Sequence, residues 1–435
     1  MEAEWQETTI GDQVDLATGE AFESARFGTT PDSGTLLARG DNIKEGEFEW
    51  GDKARYWPEL TPNLERRLLR DGDVLLGMDG SKVGKNWVQV REKDLPCLLV
   101  QRVACLRAKK SMDQQFLRYL IGNPDFAAYV ERVKTGTSIP HISGGQIKAY
   151  QILLPSRAEQ RTIAHILGSL DDKIELNRRM NETLEAMARA LFKSWFIDFD
   201  PVHAKAEGRD AGLPADIAAL FPDSFQDSDL GEIPEGWRIG TLEDYAELNP
   251  ESWSADTVPD EVNYVDLANT KWGRIEVPQR LSWKEAPSRA RRVLRPGDTI
   301  VGTVRPGNGS YSFVAEDGLT GSTGFAVLRP RAAAYAALVY LAATEHDNIV
   351  RLAHLADGAA YPAVRPEVVF ETQVVRPDRP IVECFARCTR YMMERQAANN
   401  AESRTLTSLR DSLLPKLLSG EVHVKDVECV KDVSS

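Results

Sequence analysis

The sequence predicts an α+β fold: two β-rich mixed globular domains in tandem pseudo-repeat, separated by two long antiparallel coiled-coil-like helices. Three observations support it: motifs that recur in the same order in both halves, two long apolar stripes with helical period, and short apolar strands bounded by turns in both halves. The predicted parts are a globular domain over 1–154, a helix over 155–198, a connector over 199–232, a second globular domain over 233–377, a helix over 378–420 and a flexible tail over 421–435.

The internal duplication is carried by two pairs of segments. The first pair is LRDGDVLLGMDGSKVG (69–84) and LRPGDTIVGTVRPGNG (294–309), each of which reads as a turn followed by a short apolar strand. The second pair begins GTSIPHISGG at 136 and GAAYPAVRPE at 358. In the second pair, Pro140 corresponds to Pro362 and Pro155 to Pro377, so both offsets are 222 residues. Distinct motifs that recur in the same order in both halves indicate two copies of one domain plan.

The same offset continues into two stretches with helical periodicity. Apolar residues spaced by three and four positions lie on one side of a helix, and both stripes are polar at their centre. Buried Asn in such a seam fixes register at a cost in stability. The predicted seam residues are Ile166, Leu170, Asn177, Leu184 and Leu191 in the first helix and Met392, Asn399, Leu406 and Leu413 in the second.

An alternative is that each helix covers only its own half of the chain. Stripes of about 32 residues would span ~48 Å, which is long for a helix on one small domain, so the sequence favours helices that pair with each other. Pro415 is expected to end or kink the second helix. The Pro-rich segment after the first helix is expected to be a mostly irregular connector that packs locally through aromatic side chains.

The composition is that of a soluble globular protein. Of the 435 residues, 42% are hydrophobic and 27% charged, and no apolar run reaches the ~18–20 residues that span a bilayer. The N-terminal sequence lacks the basic and apolar regions of a secretory signal. Five scattered cysteines indicate idle thiols in a reducing compartment. We therefore expect a cytoplasmic protein.

The net charge of −13 argues against nucleic-acid binding when taken alone, because phosphate neutralisation by Lys and Arg supplies most non-specific DNA affinity. If DNA is the ligand, basic side chains must be sorted onto one face or a partner must supply part of the clamp.

The chain also lacks the motifs of an enzyme, so we predict no catalytic residues and no metal site. The segment from Asn123 to Phe126 lacks the second proline of an amino-methyltransferase loop, and the glycines from Gly80 to Asn86 miss the spacing of a phosphate loop. The sequence contains no Glu-x-Lys, the usual end of a restriction-nuclease core. Its six histidines have no metal-ligand spacing.

The residues ILLPSRAEQRTIAHILGSLDDKIELNRRMNETLEAMARALFKSWFIDFDPVHAKAEG, from 152 onward, resemble the central conserved region of the type I restriction-modification DNA specificity subunits. So do LGEIPEGW (230–237), which opens the second half, and SLRDSLLPKLLSGEV (408–422), which closes it. The second copy departs from the pattern, because Arg376-Pro377-Asp378 stands where the first has Leu154-Pro155 and Glu-Gln.

The resemblance implies a non-catalytic subunit that reads a split, asymmetric site on double-stranded DNA. Its two globular domains would be target recognition domains, each reading one half-site, and its helices would set the distance between the half-sites. The helices would also dock two copies of an adenine methyltransferase subunit, and motor-nuclease restriction subunits would complete the assembly. S-adenosylmethionine, ATP and Mg²⁺ would belong to those partners, and this chain itself would hold no cofactor.

Candidate DNA contacts are polar loop residues placed equivalently in both halves. Glycines let the backbone approach phosphate closely, and Lys or Arg can neutralise charge or bond guanine. The candidates are Ser81, Lys82, Lys85, Asn86, Thr137, Ser138 and His141 in the first half and Arg305, Asn308, Ser310, Tyr311, Tyr361 and Arg365 in the second. The basic run Arg289, Arg291, Arg292 and Arg295 could contact phosphates or form a solvated face.

A rival hypothesis of another class is a protein-interaction scaffold that joins two identical partners and does not read DNA. The acidic charge is consistent with it. The two hypotheses differ in whether sequence preference depends on the loop residues.

Overall fold

The computed structural model describes residues 5–136, 138–229, 231–254 and 256–423. The chain divides into two compact units, the first formed by Met1–Glu175 with Thr405–Ser435 and the second by Leu176–Arg404. Each unit therefore contains part of each predicted long helix. The predicted division at 154, 198, 232, 377 and 420 stays a prediction, and most of the predicted tail lies outside the described residues.

The first unit combines short strands with short helices ahead of one long helix. Its strands are β1 Gln6–Thr9, β2 Val14–Thr18, β3 Thr35–Ala38, β4 Tyr56–Trp57, β5 Val74–Gly77, β6 Trp87–Gln89, β7 Cys97–Leu99, β8 Val103–Ala108 and β9 Gln151–Leu154. Its helices are α1 Ile10–Gln13, α2 Pro62–Glu65, α3 Gln114–Gly122, α4 Pro124–Val133, α5 Gly144–Lys148 and the first part of α6 Arg157–Phe196.

Three sheets organise the first unit. An antiparallel sheet has the order β2-β8-β5-β6, a three-stranded sheet has the order β4-β3-β7 with a parallel β3–β7 pair, and β1 pairs with β9. Strand β5 is buried at all four positions, so it reads as a continuous apolar run rather than an alternation. Helices α3 and α4 contribute Phe116 and Phe126 to the core on this sheet.

The second unit has the same plan with an additional connector at its start. The connector holds α7 Asp200–Ala206, α8 Ala215–Ala218 and the hairpin of β10 Phe225–Ser228 and β11 Gly231–Pro234. The strands that follow are β12 Arg238–Thr241, β13 Ala246–Leu248, β14 Glu261–Val265, β15 Thr270–Lys271, β16 Arg274–Ile275, β17 Gln279–Ser282, β18 Ala290–Leu294, β19 Thr299–Gly302, β20 Tyr311–Phe313, β21 Leu319–Ser322, β22 Phe325–Pro330 and β23 Gln373–Arg376. The helices are α9 Ala336–Ala343, α10 His346–Leu355, α11 Pro366–Phe370 and α12 Arg379–Ser419, whose last part belongs to the first unit.

The sheets of the second unit repeat those of the first. The order β13-β22-β19-β20 matches β2-β8-β5-β6, and the pair β12-β23 matches β1-β9. A second sheet has the order β17-β14-β21-β18 with a parallel β14–β21 pair. The internal duplication inferred from the sequence is therefore a duplication of strand order.

A buried ion pair occupies the same place in both units. In the first, Arg107 makes a two-pronged contact with Asp73, with Nε–Oδ1 and Nη2–Oδ2 distances of 2.6 and 2.8 Å. In the second, both corresponding distances between Arg329 and Asp298 are 2.9 Å. These aspartates are the ones that follow the Gly of the repeated turn motif, and the hydrogen bonds that they accept raise the pKa of both guanidinium groups. The pair fixes the turn that leads into β5 and β19.

In the first unit, the start of α6 and the end of α12 pack together on the sheet core. Ile163 and Leu167 of α6 share a buried cluster with Leu414 and Leu417 of α12. The Asp171 carboxylate of α6 lies 2.9 Å from Nη1 of Arg410 in α12. Residues later in α6 contact residues earlier in α12, so the two segments run antiparallel.

In the second unit, the end of α6 packs against the start of α12. Phe385 of α12 lies among the rings of Phe192, Trp195 and Phe196 of α6, with ring centroids 6.2, 5.9 and 4.9 Å away. The connector closes this cluster through Phe221, whose ring lies 5.0 Å from that of Trp195. The aromatic packing predicted for the connector is present, but the connector has regular helices and strands where the sequence predicted mostly irregular chain.

The two central asparagines of the predicted seam lie together in the second unit. Asn177 and Asn399 are 0% and 1% exposed, and the Asn177 amide nitrogen lies 3.4 Å from the Asn399 carbonyl. Nδ2 of Asn399 donates to Oδ1 of Asn181 at 2.8 Å, but the Oδ1 atoms of Asn177 and Asn399 have no partner among the described residues. The remaining seam residues are half-buried: Ile166, Leu170, Leu184, Leu191, Met392, Leu406 and Leu413.

The predicted fold class is confirmed: the protein is α+β, with two sheet-rich units and two long helices whose segments pair antiparallel within each unit. The alternative, in which each helix covers only its own half, is wrong, because both units bury parts of both helices. Pro415 does not end α12, since the helix continues to Ser419, and the alternative that it kinks the helix stays a prediction. The proline removes one helix hydrogen bond, the one that an N–H at this position would donate to the carbonyl of Asp411.

Candidate nucleic-acid interface

Two loops of the first unit are joined by backbone hydrogen bonds. One follows β5, and the other links α4 to α5. The N–H of Gly80 donates to the carbonyl of Pro140 at 3.0 Å, and the N–H of Ile142 donates to Met78 at 2.9 Å. Within the second loop, Thr135 and His141 exchange hydrogen bonds of 2.9 and 2.7 Å. The two groups of residues predicted in the first half therefore share one surface.

The corresponding loops of the second unit are joined in the same way. The N–H of Arg305 donates to the Pro362 carbonyl at 2.7 Å, and the N–H of Val364 donates to Thr303 at 2.9 Å. The backbones of Asp357 and Ala363 exchange hydrogen bonds of 3.0 and 2.9 Å. Each bond has its counterpart in the first unit, at an offset of 222 in one loop and 225 in the other. The two units thus present the same pair of loops on the same scaffold.

The predicted side chains of the first unit are mostly exposed. Ser81, Lys82, Lys85, Ser138 and His141 are exposed, and the hydroxyl of Thr135 lies 3.1 Å from Nε2 of His141. Asn86 is half-buried, and its Oδ1 is buried without a hydrogen-bond partner among the described residues. Thr137 lies outside the described residues.

Four of the predicted side chains of the second unit are exposed: Arg305, Asn308, Tyr361 and Arg365. Arg305 also contacts the second loop of its own unit. Arg305 has a left-handed backbone, with φ of 48°. Its Nη2 donates to the Ala360 carbonyl at 2.7 Å, and its guanidinium lies 4.7 Å from the centre of the Tyr361 ring. Arg305 therefore clamps one loop onto the other, a role that the sequence did not predict.

Two predicted contact residues are buried, and we remove them from the candidate surface. Ser310 is 4% exposed, and its hydroxyl donates to the Leu267 carbonyl at 2.9 Å. Tyr311 is 7% exposed and opens β20, where its ring packs edge-on against Trp272. Burial raises the pKa of Tyr311. Both residues lie where the loop has already turned back into the sheet.

The basic run of the second unit is largely neutralised by its own neighbours. Arg289 contacts Asp266 at 3.4 Å, and Arg295 contacts Glu251 and Asp317 at 2.8 and 3.2 Å. The hydrogen bonds that Arg295 donates to these two carboxylates raise its pKa. The guanidinium carbon of Arg291 lies 4.7 Å from the centre of the Trp283 ring. Arg292 is half-buried and donates a hydrogen bond to the hydroxyl of Ser252. Burial lowers the pKa of Arg292. In this run, therefore, two arginines pair with carboxylates and the other two pack within their own unit.

Three exposed residues near the loops were not predicted. Arg102 has φ of 64° and forms a 2.9 Å ion pair with Asp79, the residue bridged to His141. Trp272 is 59% exposed, and its N–H donates to Gly309 at 2.7 Å. Ile139 is also 59% exposed. The sequence could have pointed to Trp272 and Ile139, because each is a large apolar residue inside a polar turn. It could not have pointed to Arg102, because the position of that residue depends on long-range strand pairing.

The described residues contain no group of three or more His, Cys, Asp or Glu placed to hold a metal ion. Cys97, Cys105, Cys384 and Cys388 are free thiols, and burial raises the pKa of Cys105 to about 12. None of the described helices combines the length and apolar character needed to cross a bilayer.

Sequence comparison relates the chain to one group of proteins. The family model described as "Type I restriction modification DNA specificity domain" matches residues 2–186. The HindI specificity subunit of a type I restriction enzyme from Haemophilus influenzae is 26% identical, over 71% of this chain and 77% of that protein. The MjaIX specificity subunit from Methanocaldococcus jannaschii is 23% identical, over 73% of this chain and 71% of that protein.

Structural comparison agrees at the level of the fold. The crystal structure of a type I restriction-modification system S subunit from M. genitalium has a TM-score of 0.54 to this chain. The alignment covers 95% of this chain and 96% of that one, at 16% sequence identity. The two proteins share a fold in which most of the sequence has diverged.

Proposed function

Because the chain belongs to the type I restriction-modification DNA specificity subunits, we propose that it reads a bipartite, asymmetric DNA site with one recognition unit per half-site. Subunits of this family are non-catalytic, so the chain selects the DNA and its partners perform the chemistry. S-adenosylmethionine, ATP and Mg²⁺ belong, in this proposal, to those partners.

The observation that carries the proposal is the repeated loop pair. Each unit joins a loop after a buried strand to the loop before α5 or α11 with the same backbone hydrogen bonds. The loops carry different side chains, with His141 and Lys82 in one unit and Arg365 and Tyr361 in the other. Base edges are distinguished by side-chain chemistry, mainly in the major groove. One scaffold with two sets of side chains suits a site whose two halves differ in sequence.

The paired helices are proposed to set the gap between the half-sites. Half-site spacing follows protein geometry in DNA-binding proteins with two reading units. The antiparallel contacts found within each unit, at Asp171–Arg410 and at Asn177–Asn399, support a continuous pairing of α6 with α12. Their register would then fix the number of unread base pairs.

Two methyltransferase subunits are the proposed partners, with motor-nuclease subunits in the restriction form. Two identical partners need two equivalent binding surfaces, and a duplicated fold provides them. With a net charge of −13, the chain would share the phosphate contacts with these partners, since such contacts need positive charge that this chain supplies only locally.

Replacing Lys82 and Arg305 together with alanine is expected to weaken specific binding by roughly 10- to 100-fold, with a smaller loss on unrelated DNA. Lys82 is an exposed cation for phosphate or guanine, and Arg305 holds the second loop pair together. The measurement is fluorescence anisotropy of the complex with its methyltransferase subunit, on a duplex carrying the methylated motif and on a scrambled duplex.

The matched control replaces Lys110 and Arg238, two exposed cations outside these loops, and should leave the ratio of specific to scrambled binding unchanged. An unchanged ratio in the Lys82 and Arg305 variant would favour the rival function, a scaffold that joins two partners without reading DNA.

A further inference from the structure

The two loop pairs present an apolar side chain at the same position. Ile139 in the first unit and Tyr361 in the second are 222 residues apart, and each directly precedes the proline whose carbonyl accepts the loop-joining hydrogen bond. They are 59% and 72% exposed. Single exposed apolar residues are common on protein surfaces, so exposure alone means little. Exposure at one equivalent position in two diverged units requires a shared cause.

The turn that presents these side chains depends on glycine in both units. Gly136 and Gly358, again 222 apart, have φ of 89° and 120°, which side-chain-bearing residues rarely adopt. A Cβ on Gly136 would lie 2.4 Å from the carbonyl oxygen of Ile139. The backbone is therefore built to hold the following apolar residue in one place.

In the second unit, Arg305 holds Tyr361. Its guanidinium lies 4.7 Å from the ring centre, and its Nη2 donates to the carbonyl of Ala360, the residue before Tyr361. An arginine in a left-handed backbone is strained, and at the corresponding position the first unit has Gly80, which adopts a positive φ without strain. Since one of its guanidinium nitrogens and the face of the group contact the loop that carries Tyr361, Arg305 is a positioning residue for Tyr361.

We propose that Ile139 and Tyr361 are specificity-determining residues, each packing against the 5-methyl group of a thymine in the major groove of its own half-site. The inference rests on the proposed function, because it assigns the chemistry of the reading loops. Thymine is the base that presents a methyl group in the major groove, and apolar side chains recognise it by contact. Neighbouring polar side chains such as His141 and Arg365 lie on the same loops and would contact the other base edges or phosphates.

The experiment maps methylated adenines in the genome of cells that carry the methyltransferase subunit with each variant of this chain. Ile139→Ala should relax one thymine position in one half of the motif, and Tyr361→Ala one thymine position in the other half. Each variant is the matched control for the other. Tyr361→Phe should keep the original motif, because the contact uses the ring, and Arg305→Ala should relax the same position as Tyr361→Ala.

A binding measurement isolates the methyl group. Replacing the assigned thymine by uracil removes the methyl group alone and should weaken binding by the wild-type complex roughly fourfold, by analogy with the transfer free energy of a buried methyl(ene) group. The same replacement should have no further effect on the matching alanine variant.

An unchanged motif in both alanine variants, or relaxation of both halves by one variant, would overturn the inference. So would a uracil effect that persists in the alanine variants. A wild-type chain that directs no two-part motif would instead overturn the proposed function, so the two failures are distinguishable.

Discussion

Inserting seven residues into both long helices is expected to lengthen the unread gap and to abolish methylation of the original site. Seven residues add about 10 Å of helix at 1.5 Å per residue, a length equal to about three base pairs of duplex. The insertions should face each other, between Asn181 and Glu185 in α6 and between Gln396 and Asn399 in α12, because hydrogen bonds link these segments. A heptad keeps the apolar stripe on nearly the same side of the helix.

The readout is the methylated motif in cells, followed by binding to duplexes whose gap is extended by one to four base pairs. Inserting the heptad into α6 alone is the control, and it should disrupt the pairing and lose methylation altogether. An original gap preserved after the double insertion would refute the helical spacer.

Replacing Phe385 with alanine is expected to lower the free energy of unfolding of the second unit by about 4 kcal/mol. Phe385 is fully buried, and its ring contacts three aromatic residues of α6. Because it joins the start of α12 to the end of α6, the loss is a loss of helix pairing as well as of core volume. Urea unfolding followed by tryptophan fluorescence measures it, since the buried rings of Trp195 and Trp237 belong to the same cluster.

The matched control is Tyr391→Ala, on the same helix and 69% exposed, which should change stability by less than about 0.5 kcal/mol. A loss of less than 1 kcal/mol for Phe385→Ala would mean that the two helices are not held together at this point.

The long helices and the duplication could be predicted because they are written as patterns within the sequence. A repeated offset and a three-four spacing need no knowledge of distant contacts, and the helix predicted over 155–198 spans Arg157–Phe196 in the structure. Asn177 and Asn399 stood out as polar residues in apolar stripes, and they lie together in the second unit.

The details of the loops could not be predicted, because they depend on pairing between distant segments. Gly80 and Pro140 are 60 residues apart, and no local sequence pattern predicts the hydrogen bond between them. The sequence predicts a loop at Ser310 and Tyr311 because they follow a glycine-rich turn. In the structure β20 begins at Tyr311, and both residues are buried. Arg305 illustrates the same limit, because its guanidinium turns toward the neighbouring loop at Ala360, 55 residues later in the chain.

The most direct test of the account is to map methylated adenines in host DNA with the methyltransferase subunit present and this chain either present or deleted. The account predicts a motif of two short blocks separated by a fixed unread gap, which disappears when the chain is deleted. A motif that persists without the chain, or one continuous block in its presence, would contradict it.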